Sequence, residues 1–127
     1  MCPLHKTNTL AWKQSAIQFT SYLMNGCVID GSGAFDWSAG ASGKTFKNTL
    51  FQPTNMLFWE TDEHDPGYFN DGASDPSEGF SKRHSKGAIL GLMGGHVQFL
   101  KWDKYYQLLA DPNKNDLWCY PKSRTGR

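Results

Sequence analysis

Residues 83–100, RHSKGAILGLMGGHVQFL, hold two histidines, His84 and His96, separated by an apolar run and the pair Gly94-Gly95. Histidine is the commonest metal ligand and proton carrier. The stretch therefore raises a shared metal, a catalytic pair, or a hairpin with a histidine at each end. Just upstream, ETDEHD at 60–65 and NDGASDPSE at 70–78 concentrate carboxylates. Calcium takes about 6–8 oxygen ligands. Glu60, Asp62, Asp65 and Asp71 are the candidate set for Ca²⁺, with a solvated acidic loop as the alternative, because their spacing does not follow an EF-hand loop. Ser81 and Ser85 flank His84, and Glu60 with Asp62, Asp65 or Glu78 would make a glycosidase-type carboxylate pair. No Gly-x-Ser-x-Gly elbow accompanies these serines. A serine beside a histidine is common by chance, and the expectation is a protein that is not an enzyme.

The elements that must position these residues follow from pattern. GAILGLM and HVQFLKW flank the two glycines, and such runs around Gly-Gly predict a hairpin with a type I′ or II′ turn. His84 then sits near the open end and His96 beside the turn. At about 3.3 Å per residue the two lie too far apart to share a metal. Alternation places Val97 and Phe99 on one face, expected to be the buried one. Further strands are predicted near 20–29 and 54–60, the latter a short apolar run bounded by turn signals. Residues 103–113 read as a helix with Asp103 as N-cap, Tyr106, Leu109 and Ala110 on one face, and Pro112 past its end. Residues 9–19 read as a short helix or a strand start, and 44–53 as a helical turn ended by Pro53. The glycine-rich stretch 30–43 reads as a loop pinned by Phe35 and Trp37. Residues 61–85 read as one long polar loop, a length that is usually functional or mobile. His84 is expected to bond backbone, Arg83 to pair with Glu60 or Asp62, and His5 and His64 to lie at the surface.

Composition bounds the rest. The 127 residues fit one domain, and 14% aromatic content allows a core despite the modest length. The net charge of +1 comes with scattered Lys and Arg, which argues against nucleic acid as a partner. No apolar run approaches the roughly 20 residues of a membrane span, and the first residues lack the apolar core of a signal peptide. Cys2, Cys27 and Cys119 form no Cys-x-x-Cys motif. Three reduced thiols, or one disulfide and one thiol, are both open. A Cys2–Cys119 bond would tie the two ends together, for roughly 4–5 kcal/mol by loop entropy.

Several pieces, in order, resemble the globular head of pseudopilin-like proteins of planctomycetes and verrucomicrobia. Their signature is a histidine, nine residues, Asp-Gly, and then an apolar strand; here His84 is followed by nine residues and Gly94-Gly95, with His96-Val97 opening the strand. Cys2-Pro3, SYLMNG at 21–26, PTNMLFWE at 53–60, FNDG at 69–72 and LWCYP at 117–121 also match. Gly94 stands where the family has Asp, so any role of that Asp is absent. The family's basic leader, cleavage site and long apolar helix would precede Cys2; the expectation is a head lacking that N-terminal helix, either trimmed or used alone.

The resemblance implies an α+β domain with an antiparallel β-sheet, short helices and long loops. It implies a structural role in an extracellular or periplasmic filament, with copies of itself or related pilin-like subunits as partners. Membrane contact would come only through the absent helix. It also implies a calcium-stiffened loop like that of better-known pseudopilins. The least constrained parts, residues 61–85 and the tail at Trp118 and Tyr120, are the expected subunit interfaces. Removal of 70–79 is expected to leave the fold intact. A second reading, from the aromatic content, is a carbohydrate-binding module built on exposed Trp or Tyr beside amides and acids.

Overall fold

The computed structural model describes residues 1–29, 46–62, 64–65 and 72–127. Asp71, Phe35 and Trp37 lie outside these. The elements are α1 (Leu10–Gln14), β1 (Leu23–Asn25), β2 (Met56–Trp59), β3 (Ala73–Ser74), β4 (Gly87–Leu92), β5 (Val97–Lys101) and α2 (Trp102–Ala110). The strands form one mixed, mostly antiparallel sheet in the order β3-β1-β2-β4-β5, with only the β1–β3 pair parallel. This is a small α+β domain. None of its described helices is long and apolar enough to cross a membrane.

The hairpin of β4 and β5 forms where the glycines predicted it, but its loop is wider. Leu92 N–H donates to His96 O and Gly95 N–H donates to Leu92 O, so Met93, Gly94 and Gly95 form a three-residue loop. Gly95 alone takes positive φ, at 81°, as in a type I turn closed by a left-handed residue and a bulge. Gly87 has a different reason to be glycine: a Cβ there would run into the Leu100 carbonyl of the partner strand. Gly87→Ala is therefore expected to lower stability by about 1–3 kcal/mol through overpacking. Urea denaturation measures it, and a loss no larger than that of Gly91→Ala, where a Cβ meets only ordinary contacts with Phe58, would count against the argument.

Among the described residues, one sheet face is covered and the other is open. Leu23, Trp59, Ala88, Leu90, Leu92 and Leu100 point to the covered side and are buried. Tyr105 of α2 is buried among them; its ring stacks on Phe80 at 3.9 Å and its hydroxyl donates to Pro76 O at 2.8 Å. Lys101, not Asp103, is the N-cap of α2, and Asp103 sits in its first turn. There its charge complements the helix dipole. Tyr106, expected on the packed face, is exposed. β5 also reverses an expectation. Val97 is 70% exposed and Phe99 44%, because they lie opposite Leu100, the residue turned to the covered side.

The stretch 61–85 is not a simple loop. It supplies edge strand β3, and Thr61, Ser74, Pro76, Phe80 and Ser81 are buried. Trp59 Nε1 and Thr61 Oγ1 both donate to Gly79 O. Removing 70–79 would take away β3 and these anchors, so loss of the fold is the expected outcome. The C-terminal segment is equally built in. Asn25, fully buried, donates from Nδ2 to Met56 O and Leu117 O, both at 3.0 Å, and so ties β1 to β2 and to the tail. Trp118 and Tyr120 are core residues of this domain and offer no interface.

Candidate functional site

The first residues of the chain, the end of β2 and the turn before β4 meet at one place. Glu60 directly follows β2, and its backbone N–H still donates to Ile89 O across the sheet. Its carboxylate therefore turns into the domain and is fully buried. Oε2 accepts from Ile89 N–H at 2.9 Å and stands 3.1 Å from His84 Nε2. Oε1 faces the buried Arg83 guanidinium at 3.7 Å. Cys2 Sγ lies 3.7 Å from the same His84 Nε2. Cys2 is positioned by its own N–H, which donates to Ser21 Oγ at 2.9 Å. Ser21 Oγ also meets His5 Nδ1 at 3.0 Å, and His5 packs edge-on to Trp12. His5 is thus buried, against the surface position expected of it.

Arg83 is held from several sides: Nε donates to Ser81 Oγ at 2.6 Å, and one terminal nitrogen donates to Ser21 O at 3.2 Å. Tyr22 stands close enough to Glu60 for the two to interact. Burial, and then the neighbouring Glu60 and Cys2, raise its hydroxyl above the ordinary phenol value, with Arg83 opposing. The Arg83–Glu60 pairing matches the sequence expectation, whereas His84 bonds the Glu60 side chain rather than backbone alone.

The three calcium candidates among the described residues, Glu60, Asp62 and Asp65, do not converge. Glu60 faces inward, while Asp62 is engaged at the surface by His64 at 3.1 Å and Lys82 at 3.8 Å. Asp65 is exposed. A calcium site needs oxygens gathered around one point; among the described residues the one group of three potential metal ligands is Cys2, Glu60 and His84. Its members were each present in the motifs at Cys2-Pro3, 53–60 and 83–100, but nothing in their spacing brought them together. His96 is exposed beside the hairpin loop, away from His84 at the other end of β4. A serine nucleophile finds no support either: Ser81 is fully buried and its Oγ accepts from Arg83, while Ser85 is an exposed turn residue with φ 62°.

The other two cysteines form a second cluster. Cys27 and Cys119 are buried hydrogen-bonded neighbours, with Asn25 Nδ2 at 3.7 Å from Cys119 Sγ. The bond to Cys27, reinforced by burial, pushes the Cys119 thiol far up, and the same bond lowers Cys27. The residue near Cys119 is therefore Cys27, not Cys2.

The open sheet face is apolar. The register aligns Gly91 with Val97 and Phe58, and Ile89 with Phe99. Together with Ile17, Phe19 and Tyr22 at the side, Val97, Phe58 and Ile89 line an open groove of about 510 Å³. Its exposed aromatics are phenylalanines. Among the described residues Trp12, Trp59 and Trp118 are buried and Trp102 is half-buried, while of the tyrosines Tyr106 is exposed on α2.

Comparison of the chain with family models, with curated proteins and with solved structures finds no match in any of the three.

Proposed function

We propose that this domain is the structural head of a pilin-like filament subunit, outside the cell or in the periplasm, and that its uncovered sheet face is where subunits meet. One observation carries the reading. Among the described residues, an apolar face made by Phe58, Ile89, Val97 and Phe99 is left open, while the opposite face of the sheet carries the core. Contiguous exposed apolar patches of a few hundred Å² mark interaction sites. The order of the motifs resembling pseudopilin heads supplies the partner class: another copy of this chain or a related subunit. The face runs from the central strand β2 to the edge strand β5, which suits lateral contacts that are weak one by one and strong in an array.

Sedimentation of the isolated domain is expected to show weak, concentration-dependent association, with a Kd in the millimolar range. Val97→Asp or Phe58→Asp should weaken it at least about tenfold, or roughly 1.4 kcal/mol, because each buries a charge at the contact. Melting should barely change for Val97→Asp, since Val97 already faces water. Association that is indifferent to both substitutions would remove this face as the contact. A defined hydrolytic activity in the isolated domain would overturn the structural reading itself.

A further inference from the structure

We infer that Cys2, Glu60 and His84 form a binding site for a divalent metal of the zinc class, with three protein ligands and a fourth position open. The inference is independent of the filament reading.

Convergence is the first argument. The thiol of Cys2 and the carboxylate of Glu60 approach the same ring nitrogen, His84 Nε2, at 3.7 and 3.1 Å. One ligand atom from each residue lies within 4.8 Å of the other two. A nucleophilic relay would place the thiol and the acid on opposite ring nitrogens. A metal centre places all donors around one point. With zinc bond lengths of about 2.0–2.3 Å, tetrahedral donors stand roughly 3.3–3.6 Å apart, close to the separations present here.

Donor chemistry is the second argument. One sulfur, one imidazole and one carboxylate suit zinc or a similar transition metal, and a single carboxylate is far short of what calcium requires. The surroundings also fix the donors in place. Ile89 N–H and Arg83 hold the Glu60 carboxylate, and Ser21 holds the backbone of Cys2. Such outer partners commonly orient metal ligands. Glu60 is fully buried, but the His84 side chain is 25% exposed, which leaves a path for the ion. Binding requires the Cys2 thiolate, so one proton passes from Sγ to solvent as the metal–sulfur bond forms. The bound ion would clamp the first residues of the chain to the end of β2 and the turn before β4.

Titration of the reduced protein with Co²⁺ tests the site. One equivalent per chain should bind and give a thiolate-to-cobalt charge-transfer band, which Zn²⁺ then displaces. Cys2→Ser should abolish the band. His84→Gln should weaken binding by more than the about 10–100-fold typical for loss of an outer-shell partner. No band at saturating Co²⁺, or a band that persists in Cys2→Ser, overturns the inference. The wild-type chain supplies a readout that does not depend on a variant folding. With Zn²⁺ tenfold above its Kd, alkylation of Cys2 should slow about tenfold by mass action, while Mg²⁺ leaves it unchanged. An alkylation rate at Cys2 indifferent to Zn²⁺ overturns the inference as well.

Discussion

Glu60→Ala is expected to destabilise the fold by about 3–5 kcal/mol, the cost of breaking a buried ion pair from one side. The carboxylate is fully buried, and the Arg83 side chain facing it is only 3% exposed. Without Glu60 the guanidinium keeps its bonds to Ser81 and Ser21 but loses the buried carboxylate that faces it. The Ile89 N–H loses its side-chain acceptor at the same time. Asp62→Ala is the internal control. Its partners His64 and Lys82 are well exposed, and such pairs contribute about 0–1 kcal/mol. Urea denaturation of the two variants without added metal should separate them clearly. Equal losses would mean that the buried cluster contributes no more than a surface pair.

Mild oxidation is expected to join Cys27 to Cys119 and to raise stability by roughly 4–5 kcal/mol, by closing a loop of roughly 90 residues in the unfolded chain. The two thiols are already neighbours in the core, so native packing needs little adjustment. Cys2 should remain a free thiol, because it lies beside His84 and Glu60. Peptide mapping after oxidation identifies the pair, and denaturation with and without reductant gives the energy. Either Cys27→Ala or Cys119→Ala should erase the difference. A mapped Cys2–Cys119 bond would refute the assignment. Finding the Cys27–Cys119 bond in protein alkylated at harvest would fit the proposed extracellular or periplasmic location, since such bonds persist in oxidising compartments.

These two results concern residues whose importance was unevenly legible in the amino-acid chain. Local pattern was enough for the hairpin. Gly94-Gly95 between two apolar runs marks a chain reversal whatever surrounds it, and β4 and β5 lie within a residue of the expected ranges. The short apolar run at 54–60 likewise became β2, and the segment closed by Pro112 became α2. Alternation also divided β5 correctly into two faces.

Which face would be covered was a tertiary decision. Alternation gives two sides of a strand but not the position of α2, and α2 packs against the side of Leu100, leaving Val97 and Phe99 to water. The same limit explains 61–85. Polar, proline-containing sequence reads as loop because its burial depends on partners elsewhere, here Tyr105, Trp59 and Gly79. Trp118 and Tyr120 looked available because nothing near them in sequence covers them; Asn25, far up the chain, ties their segment to the sheet. The site shows the division most clearly. The chain by itself determined that Cys2, Glu60 and His84 exist, one at the end of a strand and one before another. Only the antiparallel pairing of β2 with β4 and the docking of the first residues against Ser21 brought three donors to one point, because proximity across a sheet is set by register and packing rather than by spacing along the chain.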